Sequence, residues 1–188
     1  MPEVDPTTLA VVWGGFVSAC EEMGVILRRT AYSEAVREGM DFSPGLFDGQ
    51  GRLIAQGSFS PGHLGAMPFA VKHAIAAYPP ETLKPGDSIL LNDSYMGSGH
   101  LPDFYVTTPI FYKDQLVGYA VNCVHHVDVG GAGPGSQAIE GVKDLYHEGL
   151  RILPVKHMEG GEFNEGVLRV IAANTRAPHK VIGDLKAQ

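Results

Sequence analysis

Cysteine is nearly absent: the chain of 188 residues holds only Cys20 and Cys123, and neither lies in a spaced motif. That excludes a disulfide framework and a thiolate metal cluster, and makes a reduced, cytoplasmic setting the expectation. Dense basic stretches are missing too. Fourteen Lys and Arg stand against 21 Asp and Glu, for a net charge of −7, so nucleic acid and anionic membranes are not expected partners. The start, Met-Pro-Glu-Val-Asp-Pro, carries no apolar signal core. No apolar run is expected to reach membrane-spanning length, about 20 residues. Neither repeats nor low-complexity tracts occur. No Gly-x-x-x-x-Gly-Lys-Ser/Thr is present, so ATP is not bound in the P-loop manner.

What is present is an apolar fraction of 44% together with 24 Gly and 13 Pro. That suits a single domain over 1–188 with a core and many turns, not a helical bundle. The expected class is α+β (or α/β), a mixed sheet built from hairpins with flanking helices. Asp5 can cap a helix with Pro6 at its first position. Leu9, Val12, Trp13, Phe16, Cys20, Met23 and Leu27 then recur at helical spacing as a core stripe. Ser58–Gly65 reads as a loop in which His63 has no obvious partner, with a helix starting near Met67-Pro68. Ile152–Val155 is strand-like, and Glu165–Asn174 is an amphipathic helix.

Chemistry concentrates between Asn92 and Gly131. Phe104–Phe111 and Leu116–Val124 are β-branched and aromatic enough for strands, and Lys113-Asp114 centres the polar turn between them. His100 and Asp103 precede the first strand; His125, His126 and Asp128 end or follow the second. In an antiparallel pair these ends meet, which puts Asp103 opposite Val124 or His125. Side chains alternate faces, so only one of His125 and His126 can share a face with Asp103. Imidazole and carboxylate ligands without thiolate suit Zn²⁺, Mn²⁺ or Fe²⁺ better than Ca²⁺ or Mg²⁺. A second hairpin, turning at Asp48-Gly49-Gln50-Gly51, has Asp41 at its open end, either as a further ligand or as a turn cap. The glycine-rich Gly130–Ser136 could approach an anion or be a plain turn. Glu148 is an acid or base of the site, or a solvated loop carboxylate.

The chain resembles the B-type subunits of the hydantoinase/oxoprolinase family, which are related to acetone and acetophenone carboxylases. The likeness rests on Arg28-Arg29-Thr30-Ala31-Tyr32-Ser33, Asp41-Phe42-Ser43, His63-Leu64-Gly65-Ala66-Met67-Pro68, Gly99-His100-Leu101-Pro102-Asp103, His125-His126-Val127-Asp128-Val129-Gly130-Gly131 and Glu148-Gly149-Leu150-Arg151. It implies a divalent metal, zinc or manganese, held by Asp41, His100, Asp103 and His125. It also implies an A-type partner subunit that carries the ATP site and phosphorylates the amide or enol oxygen of a small cyclic amide or ketone. Hydrolysis would follow by metal-activated water, with His126, Asp128 and Glu148 as candidate proton carriers. Since the likeness runs to Gln188, the chain is expected to be the N-terminal portion of a longer subunit in a hetero-oligomer. The rival functions are an ATP-dependent ketone carboxylase subunit, a mononuclear iron oxygenase, and a non-catalytic module keeping a structural metal.

Overall fold

Alternating apolar residues build the molecule around one sheet. The computed structural model describes residues 4–136 and 140–188, so the opening Met1-Pro2-Glu3 lies outside the described residues. Among the described residues, seven strands stand in the order β2-β1-β5-β4-β3-β6-β7. They are β1 Phe42–Asp48, β2 Leu53–Gln56, β3 Ser88–Leu91, β4 Asp103–Tyr112, β5 Gln115–His125, β6 Val155–Glu159 and β7 Glu162–Phe163. Helices α1 Pro6–Thr30, α2 Glu34–Arg37, α3 Pro61–Ala77, α4 Glu165–Ala173 and α5 Pro178–Ala187 flank it. Each pairing is antiparallel. The α+β class therefore holds, and the α/β alternative, which needs parallel strands joined by crossovers, does not apply.

The central hairpin sets the register of the site. Tyr112 pairs with Gln115, and the two residues between them, Lys113 and Asp114, have φ of 48° and 62°. Positive φ at both positions matches the twist of the flanking strands and makes the tightest hairpin turn. Straight counting from it would put Asp103 opposite Val124, but Ile110 pairs with Gly118 and Phe111 with Leu116, so Val117 is an extra residue on β5 and this bulge moves Asp103 opposite His125. On the other side of β5, Phe42 of β1 lies opposite Val124, and the His125 N–H donates to the Asp41 carbonyl at 3.0 Å. One row, Asp41, His125 and Asp103, thus crosses three adjacent strands at a common end.

The two faces bury different sets. Tyr105, Tyr119, Val121 and Cys123 pack with Phe47, Ile89 and Leu91 against Leu64, Met67, Ala70, Val71 and Ala74 of α3. Phe104, Val106 and Leu90 point the other way, against Leu168 and Ile171 of α4 and Val181 and Leu185 of α5. Phe42 and Val124 meet Leu27 of α1, and Cys20 packs on Leu46 and Ala55. Both cysteines are free and buried, one on each face.

Four expectations need correction. α1 starts behind its Asp5 cap as predicted, but only Cys20, Gly24 and Leu27 of it are buried, while Leu9, Val12, Trp13 and Phe16 stay exposed. At 1.5 Å per residue it is about 37 Å long, longer than the strands it crosses can cover. It is also long and apolar enough to span a membrane by length and composition alone, contrary to the expectation that no such run exists; its second half lies on the sheet. α3 begins at Pro61, not near Met67. Proline suits the first helical position, and the buried stripe of Leu64, Met67, Val71 and Ala74 offsets the roughly 1 kcal/mol each that Gly62 and Gly65 cost. Last, β6 starts at Val155, because the Ile152 N–H is taken by Asn92 Oδ1 at 2.6 Å.

Candidate metal centre

The row across β1, β5 and β4 is completed from two loops and a helix. Asn92, at the end of β3, fastens the ligand loop: its Nδ2 donates to the Leu101 and Leu150 carbonyls at 2.6 and 2.9 Å. Asp93 Oδ1 accepts from the Tyr95 N–H at 2.7 Å, and Asp93 Oδ2 pairs with Arg151. Ser98 Oγ donates to the His100 carbonyl at 2.6 Å. Glu148 Oε2 accepts from the Leu101 N–H at 2.9 Å, while its Oε1 stands 4.0 Å from His100 Nδ1. His100 is therefore held on a braced loop, within reach of the row.

Asp103 Oδ1 is the hub. His100 Nε2 lies 2.8 Å from it, His125 Nδ1 3.2 Å and His63 Nε2 3.6 Å. His100 Nε2 and His125 Nδ1 are themselves only 3.0 Å apart. Asp41 closes the other side, with Oδ1 3.6 Å from His63 Nε2 and Oδ2 4.0 Å from His125 Nδ1. The cleft has a volume of about 590 Å³ and is lined by Asp41, His63, His100, Asp103 and His125 with Ser60, Gly62 and Gly99. Burial alone would raise the Asp103 carboxyl, but the bonds from His100 and then His125, with the His63 ring nearby, outweigh it and hold the group far below the usual carboxylate range. The Asp103 bond in turn raises His100 above its ordinary value.

This donor set fits a divalent metal. Two imidazole nitrogens facing each other across 3.0 Å, both aimed at one carboxylate oxygen, repel unless a proton or a cation lies among them. His100, Asp103 and His125 offer ligand atoms within 4.8 Å of one another. His63, Asp103 and Cys123 do so as well, with the Cys123 thiol pushed well up by burial. Nitrogen and oxygen at this density suit Zn²⁺, Mn²⁺ or Fe²⁺.

Not every expected residue joins the cluster. Asp41, His100, Asp103 and His125 come together, and Glu148 stands at the edge. His126 does not: the strand alternation that aims His125 into the cleft sends its neighbour to the opposite face. There it is fully buried, with its ring centroid 4.1 Å from that of Phe104 and Nε2 2.9 Å from Gln188 Oε1. Asp128 does not either. It clamps a loop, accepting from the Gly130 N–H at 2.9 Å, Thr175 Oγ1 at 3.0 Å, Arg176 Nη1 at 2.9 Å and the Arg176 N–H. Those bonds overcome its burial and keep it below the ordinary carboxylate value. In the glycine-rich loop the Gly130 N–H donates to Asp128 Oδ1 and the Ala132 N–H to the His147 carbonyl, at 2.9 and 2.7 Å. Sequence reasoning missed His63. The signal that could have found it is Pro61 followed two residues later by histidine, a helix start that presents the ring from its first turn.

The family follows from comparison with known proteins. The family model described as hydantoinase B/oxoprolinase matches residues 5–188. The chain belongs to the hydantoinase B/oxoprolinase family. Among its relatives is the 5-oxoprolinase of Dictyostelium discoideum, 37% identical over 190 residues, covering 99% of this chain and 14% of that one. The solved ATP-dependent caprolactamase from Pseudomonas jessenii superposes with a TM-score of 0.85 at 36% identity, over 98% of this chain and 32% of that one. An acetone carboxylase solved in nucleotide-free form shares the fold, with a TM-score of 0.88 at 21% identity over 97% of this chain and 24% of that one. This member of the family spans about a third or less of the lengths of the proteins it matches.

Proposed function

We propose that this domain is the metal-bearing part of an ATP-dependent cyclic-amide hydrolase, working with an A-type subunit that carries the ATP site. The observation that carries the reading is the convergence of His100 Nε2 and His125 Nδ1 on Asp103 Oδ1, with Asp41 beside them, in a family that includes hydantoinase and oxoprolinase and beside a caprolactamase neighbour. Asp41, His100, Asp103 and His125 would hold the ion. When bound, a divalent metal supplies Lewis acidity toward water and the substrate carbonyl.

The remaining chemistry belongs to side chains. Asp103, held ionised beneath the imidazoles, fixes the direction of His100 and His125. The side chain of Asp41 is 44% exposed and lines the cleft, so substrate would approach the ion past it. Glu148, tied to the Leu101 N–H beside His100, is the proposed proton carrier for the departing nitrogen. His126 and Asp128 serve as supports of the scaffold in this reading. Two free thiols suit a cytoplasmic protein.

The test combines elemental analysis of protein purified without added metal with assays of ATP-dependent ring opening of hydantoin, 5-oxoproline and caprolactam, with and without an A-type partner. One divalent ion per chain and partner-dependent hydrolysis are expected. A metal-free protein, or turnover unchanged by chelators, would sink the reading. The shared acetone carboxylase fold supports a second reading, a ketone carboxylase subunit. Bicarbonate-dependent ATP turnover with acetone would favour it.

A further inference from the structure

We infer that His63 is a fifth protein ligand of this centre, through Nε2, and that the site is consequently built for a six-coordinate metal such as Mn²⁺ or Fe²⁺ and not for tetrahedral Zn²⁺. The inference rests on the metal reading above and goes beyond its four ligands.

His63 is 7% exposed, yet neither of its ring nitrogens makes a hydrogen bond of ordinary length. Nδ1 is buried with no partner among the described residues. Nε2 stands 3.6 Å from Asp41 Oδ1 and 3.6 Å from Asp103 Oδ1, beyond hydrogen-bond length to either. A buried polar ring left in this way is destabilising unless something else engages it. The spacing says what does. Atoms about 2.1 Å from a shared ion stand roughly 3.0–3.4 Å from one another. The nitrogen is thus a few tenths of an ångström outside ligand–ligand spacing toward two carboxylates that already face the other imidazoles.

The fold delivers this ring with little freedom. Pro61 opens α3, so His63 sits on the first turn, and its carbonyl accepts from Tyr105 Oη at 3.5 Å, anchoring the turn to β4. Leu64 and Met67 pin the same face of the helix into the core. With Nε2 on a metal, the proton must reside on Nδ1, where no acceptor waits among the described residues. Packing, not an outer hydrogen bond, would therefore aim this ligand.

Three imidazoles and two carboxylates exceed what a zinc site uses, since catalytic zinc takes three protein ligands and structural zinc four. They leave one position of an octahedron for water or substrate. Cys123 also lies near His63 and Asp103, but its buried thiol remains outside the proposed set.

The test titrates the metal-depleted full chain with Mn²⁺, following free Mn²⁺ by electron paramagnetic resonance, and counts ligands by X-ray absorption on the Mn²⁺-loaded protein. His63→Ala and His63→Gln are compared with wild type and with His125→Ala. Three imidazoles in wild type and two in either His63 variant are expected. Mn²⁺ affinity should fall about tenfold or more, the least a direct ligand should show given what outer partners are worth, and the preference for Zn²⁺ over Mn²⁺ should rise. Two imidazoles in wild type, or a sulfur neighbour at about 2.3 Å, would overturn the inference. Unchanged affinity in His63→Ala would do so too. If the variants do not fold, the wild-type spectrum decides alone. Loss of Mn²⁺ in His125→Ala with full retention in His63→Ala sinks only the His63 ligand. No binding of Mn²⁺ or Zn²⁺ by wild type sinks the metal reading with it.

Discussion

His125 and His126 are neighbours in sequence with opposite assignments, and substitution separates them. His125→Ala or His100→Ala should abolish stoichiometric metal binding measured by elemental analysis. His126→Ala should keep the metal and lose about 1–3 kcal/mol of stability in urea unfolding, since it empties a buried site and leaves Gln188 Oε1 without that partner. Equal metal loss from His125 and His126 variants would refute the single-face assignment. Acid sensitivity belongs to the same scale. Burial pushes His126 and His157 down to about 4 from an ordinary 6.5. Each folded-state value lies below the unfolded one, so between pH 6.5 and 4 the unfolded chain binds more protons. Stability should be full above that window and fall as the pH drops through it, by up to roughly 3 kcal/mol for each group. Urea midpoints measured from pH 7 to 4 would show the slope, and His157→Gln should flatten part of it. Asp103 and Asp128, held low, add their own loss only further into acid.

The hairpin of β4 and β5 sets the register of its open end with a one-residue bulge at Val117 and a turn of Lys113 and Asp114, both at positive φ. Non-glycine residues there are strained. Replacing the pair by Asn-Gly should stabilise the protein by about 1 kcal/mol in chemical unfolding, without altering metal affinity, because the register stays fixed. A shift in metal affinity would mean the turn does not merely hold the register. The loop clamp of Asp128 behaves differently. Asp128→Ala removes the acceptor for Gly130, Thr175 and Arg176 and should cost about 2–3 kcal/mol, again with metal affinity near wild type. Loss of metal in that variant at full stability would return Asp128 to the site.

The exposed first half of α1 is a property of the whole molecule. Leu9, Val12, Trp13 and Phe16 present an apolar stripe to solvent, and such patches promote association. Analytical ultracentrifugation should show concentration-dependent self-association that Trp13→Glu weakens, leaving metal affinity intact; a monodisperse wild type at high concentration would contradict this. Metal binding should itself stabilise the fold by about 2.7 kcal/mol at a hundredfold excess over Kd, read as a higher thermal midpoint that a chelator reverses.

Much of this is written into local sequence. Asp5-Pro6 announces α1, the β-branched runs around Lys113-Asp114 announce the central hairpin, and alternation alone predicts that only one of His125 and His126 joins Asp103. These features are short-range: a cap, a turn and a period of two residues. Which histidine that is stays open in the count and is decided by the Asp103–His125 register. The remainder depends on long-range contacts. That Asp41 stands beside His125 follows from β1 pairing with β5, a strand order that no local pattern encodes. His63 reads as a loop residue because Pro61, Gly62 and Gly65 argue against a helix, and only packing of α3 on the sheet overrides that propensity and turns the ring into the cleft. The apolar stripe of α1 is legible, but whether its first half is covered depends on where the sheet ends, which only the tertiary structure decides.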